Sequence, residues 1–335
     1  PDVELIFQNH CIADTDEAQL ILNQDDGTPI AVCALEIPPL AARSWRLDEL
    51  VPGWPARLSG KRMAGAVVNK YNPRRPLFLI HHPDGTFVLN HASGTTETSH
   101  TRPPERINRH AVDDDFWGEI YFALPLGYHV GHEMTCYIDN FFEPHFDYPI
   151  RLRVHDADGR CVAADDAIIV LPYGGVREFT AAEVRAHFSL PEDFVGHAIM
   201  AVGPDDTGMA PRARAGQLTY VDGRKTGGMI NGGYVQNTQP NPGDRGMGFR
   251  RNRTYAPVAM GKGLETYLYV FHGASRRSYD SSAKAAVKFY TVDGLQFAED
   301  VVFKPHEMKC LCMGDMMRRQ GVAALAVGER GWAWV

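Results

Sequence analysis

The densest group of residues able to do chemistry lies between positions 129 and 147: His129, His132, Glu133, Glu143, His145 and Asp147. His129 and His132 stand three apart, and in an extended chain Glu143, His145 and Asp147 share one face. Imidazole and carboxylate together suit one divalent transition metal such as zinc, manganese or iron. The expected ligands are His132, Glu133 and His145, with His91 or His100 completing the set. The spacing matches no H-E-x-x-H signature. A surface cluster of hydrogen-bonding histidines is the competing reading.

A second group suits polar or anionic ligands. The stretch 90–115 contains His91, His100, Arg102, Arg106, Arg109 and His110, and the stretch 222–253 carries Arg224, Arg245, Arg250, Arg251 and Arg253. A guanidinium fork fits a carboxylate, a phosphate or a sugar acid. Nearby aromatics, Trp117 above all, are able to stack on a sugar face. The expected ligand contacts are His91, His100, Arg102, Trp117, Arg250 and Arg253. Solvated charge and aromatic core are the alternatives. Gly227-Gly228 and Gly232-Gly233 fit no phosphate-loop spacing, and Ser93-Gly94 lacks a G-x-S-x-G elbow.

The elements that must position these residues repeat about every 130 residues. Asp-Gly closes a strand at Asp26-Gly27, Asp158-Gly159 and Asp293-Gly294. Nine, seven and five residues before each Gly stand Ala18/Leu20/Leu22, Ile150/Leu152/Val154 and Ala285/Val287/Phe289. That alternation puts each trio on one buried strand face, and Asp-Gly between such runs signals a hairpin. The next strand ends at Pro38, Pro172 or Pro305, and 43–50, 177–184 and 309–316 then align without a gap. A small-apolar strand is expected last in each copy, at 65–68, 196–202 and 321–327. Helix is scarce; Thr180 and Glu183 fit a capping box opening a short helix to Phe188. Asn9-His10, Asn140 and Phe271-His272, just past the first strand of each copy, are read as closing strand ends by side-chain hydrogen bonds, or as converging if the copies surround a pseudo-three-fold axis. The fold class expected is all-β: three tandem antiparallel β-sandwich repeats over 1–112, 113–240 and 241–335, with long connecting loops.

In the middle copy the lead Trp117 to Gly127 runs into His132-Glu133-Met134-Thr135-Cys136-Tyr137-Ile138-Asp139-Asn140, which resembles the His-Glu-x-x-Cys strand ending in Asn of the sensory rhodopsin transducer family. Pro38-Pro39 and the segment Arg43 to Leu50 resemble the family's proline, basic strand and Asn-Asp-Leu segment. The resemblance implies a small antiparallel β-sandwich that forms tetramers, and a soluble signalling or sugar-associated binding protein without an established catalytic set. It covers one unit well; the first copy lacks most of the lead, and Gly263-Leu264-Glu265-Thr266 stands where the third would have His-Glu.

A net charge of −7 argues against nucleic acid as a partner, and no apolar run is long enough for a membrane helix. The first residues read as a strand and not as a signal peptide. Six cysteines without a C-x-x-C pair read as free thiols in a reducing, cytoplasmic setting. Beside a structural role, in which tandem sandwiches with exposed edges assemble by strand pairing, two functions remain open on the sequence. One is a non-catalytic protein that binds a small polar molecule, such as a carbohydrate, or a protein partner, with homo-oligomers allowed. The other is a metal-assisted enzyme using His132, Glu133, His145 and His91 on an anionic substrate.

Overall fold

The computed structural model describes residues 2–58, 63–69, 76–81, 87–91, 110–111, 115, 117, 119–129, 132–140, 147–202, 209–210, 214–221, 224–225, 230–231, 255–260, 265–273, 277–325, 329 and 331–335. Over these the chain is all-β, with several antiparallel sheets and short helices. No described helix is long and apolar enough to cross a membrane.

One order of elements recurs three times. In the first unit β1 (Asp2–Gln8) leads into the hairpin β2 (Asp16–Gln24)/β3 (Pro29–Ile37), then β4 (Ala42–Arg46), the one-turn helix α1 (Leu47–Leu50) and β5 (Met63–Asn69). β4 returns to pair with β1, and β5 pairs with β2. β6 (Leu77–His81) and β7 (Phe87–His91) extend the first sheet to the order β4-β1-β6-β7, facing the sheet β3-β2-β5. A short bridge then joins β8 (His110–Ala111) to a later segment.

The second unit opens with β9 (Glu119–Leu126) and repeats the order. It runs through β10 (His132–Asp139), the hairpin β11 (Tyr148–Asp156)/β12 (Cys161–Leu171), β13 (Val176–Thr180), α2 (Ala181–His187) and β14 (Gly196–Val202). β13 pairs with β10, while β14 lies between β11 and β9. β15 (Met209–Ala210) is the partner of β8, and β16 (Arg214–Val221), flanked by β17 (Arg224–Lys225) and β18 (Ile230–Asn231), continues the β10 sheet.

The third unit has β19 (Tyr255–Val258), β20 (Tyr267–Phe271), the hairpin β21 (Ala283–Thr291)/β22 (Gly294–Phe303), β23 (Met308–Cys312), α3 (Met313–Arg319) and β24 (Gly331–Trp334). β23 pairs with β20, and β24 lies between β21 and β19.

Each unit closes on its own core. Leu5, Phe7, Leu20 and Ile37 anchor the first, Ile138, Ile150, Val154 and Phe179 the second, and Val287, Phe289, Met313 and Met317 the third. The alternating trios before the hairpin glycines supply the inward face, as the period of two requires. Burying one such Val, Leu or Phe is worth roughly 1.5–3 kcal/mol.

The second strand of each hairpin ends at Ile37, Leu171 or Phe303, and the chain turns back through Pro38–Ala41, Pro172–Gly175 or Lys304–Glu307. The fourth N–H of each turn donates to the first carbonyl, and the third residue is left-handed: Leu40 (φ 53°), Gly174 (77°) and His306 (56°). Asn9 and Asn140 lock the strand ends: their amides donate to Ile37 O at 2.9 Å and Leu171 O at 3.0 Å. His272 meets Ser281 O and the Tyr279 hydroxyl instead. α2 starts where the capping pattern placed it, with Glu183 N–H donating to Thr180 Oγ1 at 3.0 Å. The Glu183 carboxylate pairs with Arg177.

One expected strand is not there among the described residues. Gly321 to Leu325 is coil, and the last strand of the third unit is Gly331–Trp334. Gly321 (φ 67°) ends α3, and Val322 N–H caps Met317 O at 2.9 Å, so those residues serve the helix terminus.

Candidate functional site

The hairpin of one unit sits on the turn of the next, and this builds the junctions that concentrate polar side chains. Between the first and second units Asp26 bridges Gly175, Val176 N–H donates to Asp25 O at 2.9 Å, and Asn23 reaches Gly174 O. Between the second and third units Gly159 lies against Pro305 O and Glu307 N, while Lys304 Nζ meets Asp158 Oδ1 at 2.6 Å.

The second junction holds most of the chemistry. His155, four residues before its hairpin glycine, stands opposite His197 on β14, and the rings stack at 5.4 Å. His306, from the turn of the third unit, also stacks on His155 at 5.1 Å. Burial, then the neighbouring His197 and His306, pushes His155 down to about 2. Burial and then His306 take His197 to about 3, and burial with His272 and Arg153 takes His306 to about 4. His155 Nδ1 and both ring nitrogens of His197 lack a hydrogen bond of good geometry, although the His306 backbone lies near enough to His197 to oppose part of its shift. These are neutral imidazoles used as packing.

Around them Trp117 is 1% exposed and packs with Ile199, Ala201 and Phe271 of the third unit. The Arg153 guanidinium covers its ring at 4.5 Å, and Arg151 donates to its carbonyl. Asp115 accepts from Arg277 N–H, Ser278 N–H and the Ser278 hydroxyl, strapping the third unit to the lead of the second.

On the same junction the segment after β9 covers the outer face of β20 and β23. Tyr128 donates to Met308 O at 3.0 Å, and His129 Nε2 lies 3.1 Å from Cys310 Sγ. This Cys–His contact lacks the lowered thiol of an activated nucleophile. Burial, then the nearby Cys312, lifts the Cys310 thiol to about 11, so it stays protonated at neutral pH.

The outer face of the third unit is different. Tyr290 and Trp332 hold the places that His155 and His197 hold in the second, four residues before the hairpin glycine and directly across β24. They stack nearly parallel at 6.0 Å, and Trp334 sits 5.8 Å from Tyr290. Trp332 and Trp334 are each 36% exposed, and Val292 at the hairpin tip is 87% exposed.

Of the residues expected to bind ligand, Trp117 is inside the junction, its ring engaged by Arg153. His91 ends β7 opposite Leu77. His132 and Glu133 open β10 opposite Val221 and Tyr220. The side chains of these three, and all of His100, Arg102, His145, Arg250 and Arg253, lie outside the described residues. Among the described residues no group of His, Cys, Asp and Glu gathers as a metal site. Sequence reasoning missed His155, His197, His306 and the Tyr290–Trp332 pair. The position four before each hairpin glycine (Asn23, His155, Tyr290) was the available signal, since it faces away from its own core yet carries a large or polar side chain.

No family model matches this chain, and no curated protein does.

Proposed function

We propose that this is a non-catalytic binding protein, a row of transducer-like β-sandwich units that recognises a protein partner through the outer sheet face of its third unit. One observation carries the reading. The face bearing Tyr290 and Trp332 is the counterpart of the face that, in the second unit, already docks a protein surface, with His155 and His197 beneath His306 and Phe271. Trp and Tyr give large, rigid contact area at small entropic cost and are the usual anchors of protein interfaces. A hairpin tip as open as Val292 adds apolar surface that water does not favour.

A carbohydrate is the competing occupant, because an indole face also stacks on the C–H face of a pyranose. A photo-crosslinking amino acid at position 332, with position 162 on the exposed strand β12 as control, separates the two in extract of the source cells. The reading expects one protein species captured at 332 and not at 162. A saturable change in tryptophan emission on titration with oligosaccharides, lost in Trp332→Ala, with no protein captured, overturns it in favour of sugar binding.

A further inference from the structure

We propose that the partner is a second copy of this chain, whose first unit docks on the third unit of its neighbour and repeats between chains the contact made twice within one. The inference rests on the protein-partner reading above.

Both internal junctions use the same pieces. A Cβ on Gly27 would stand 2.5 Å from Tyr173 O and 3.4 Å from Gly175 N. One on Gly159 would strike Pro305 O and Glu307 N, the second and fourth residues of the matching turn. Each hairpin glycine is therefore seated in the next unit's turn at the same two atoms. The Lys304–Asp158 ion pair is extra, because Pro172 occupies the lysine's place at the first junction.

Among the described residues, three units joined head to tail use two hairpins and two turns, and leave one of each. The leftover hairpin is that of the third unit, where Gly294 (φ 103°) keeps the same left-handed shape and no described atom lies within 4 Å of a Cβ built on it. The leftover turn is Pro38–Ala41, with Leu40 left-handed like Gly174 and His306. Among the described residues the three most exposed large apolar ones are Val292 at 87%, Ile12 at 81% and Leu40 at 68%. Val292 tips the free hairpin, Leu40 forms the free turn, and Ile12 follows Cys11, whose carbonyl accepts from Leu40 N–H. By the internal register Tyr290 would meet Leu40 as His155 meets His306, with Trp332 beside it. Such an interface joins two different surfaces, so it propagates until a ring closes or a filament grows.

The test is sedimentation velocity on the full chain from micromolar to submillimolar concentration. Wild type should associate as concentration rises, while Leu40→Asp and Trp332→Asp should each lose association and keep native circular dichroism. Val292→Asp, at the exposed tip, is the second variant should Trp332→Asp unfold. An equimolar mixture of Leu40→Asp and Trp332→Asp keeps one intact pair of surfaces and should form a dimer and nothing larger. A monomeric wild type, a mixture that stays monomeric, or a single variant that still assembles overturns the proposal. A monomer whose position 332 captures a different protein sinks the second copy and leaves the partner reading standing; a monomer that captures nothing sinks both.

Discussion

His155 and His306 stack across the junction of the second and third units, ring centroids 5.1 Å apart and planes within 22°. Neither can be charged cheaply there, since burial opposes a proton on both, helped by His197 and His306 at His155 and by His272 and Arg153 at His306. The unfolded chain titrates near the ordinary value of 6.5, whereas the folded groups sit at about 2 for His155, 3 for His197 and 4 for His306. Between those limits the unfolded state binds more protons, so stability rises with pH. It is full above roughly pH 6.5 and is lost progressively as pH falls toward 4 and below. His155→Phe keeps an aromatic ring in the stack and removes one titrating group. Its melting temperature should fall less than that of wild type between pH 6.5 and 4, followed by circular dichroism. Parallel acid-side curves would show that the stack does not carry the pH dependence.

The hairpin glycines offer an internal control. Gly27, Gly159 and Gly294 all have positive φ, so alanine at any of them meets backbone strain of about 1–2 kcal/mol. Only Gly27 and Gly159 also press on a neighbouring turn. In dilute protein Gly27→Ala and Gly159→Ala should each destabilise more than Gly294→Ala, and the excess reports the junction. Urea denaturation of the three variants measures it. Equal losses would mean that the junctions give way without cost.

Much of this architecture was readable in the sequence because it rests on local rules. Asp-Gly fixes where each hairpin turns, and Ala18/Leu20/Leu22 or Ile150/Leu152/Val154 fix which face goes inward. Thr180 announces its helix by a contact three residues away. The misplaced last strand shows the limit. Gly321 to Leu325 has the small-apolar composition of β14, but the glycine stands where a helix must end, and Gly331–Trp334 takes the strand's place. The junction of the second and third units was harder still. His155, His197 and His306 are far apart in sequence, and only the seating of one unit's hairpin in the next unit's turn brings their rings together. Trp117 misled for the same reason, since an aromatic beside a polar loop looks exposed until the third unit covers it.

The strand-end asparagines should matter out of proportion to their size. Asn9 is 2% exposed; its amide donates to Ile37 O and Asp14 O, and its Oδ1 accepts from Cys11 N–H. Asn140 is wholly buried, with its amide on Leu171 O. Removing the donor leaves a buried carbonyl without it, at a cost of about 1–3 kcal/mol. Asn9→Ala and Asn140→Ala should each lower the unfolding free energy by that amount in urea. Asn→Asp should be no better, because a carboxylate oxygen would then face the carbonyl. A neutral Asn140→Ala would show that the strand end is held by backbone alone.

The Cys310–His129 contact invites a catalytic reading that its surroundings oppose. A nucleophilic cysteine of this type is a thiolate beside an imidazolium, with its thiol held below the ordinary value by an electropositive setting. Here burial and the neighbouring Cys312 lift Cys310 to about 11, and His129 packs against Tyr267 at 4.0 Å. With the thiol protonated, alkylation by iodoacetamide near neutral pH should run on the order of 100-fold slower than at an open cysteine. Peptide mapping of the native protein reads the rate at Cys310 alone, and it should climb steadily as pH rises toward 10. Fast labelling that is flat with pH would mean a thiolate–imidazolium pair at the junction, and so a reactive nucleophile there.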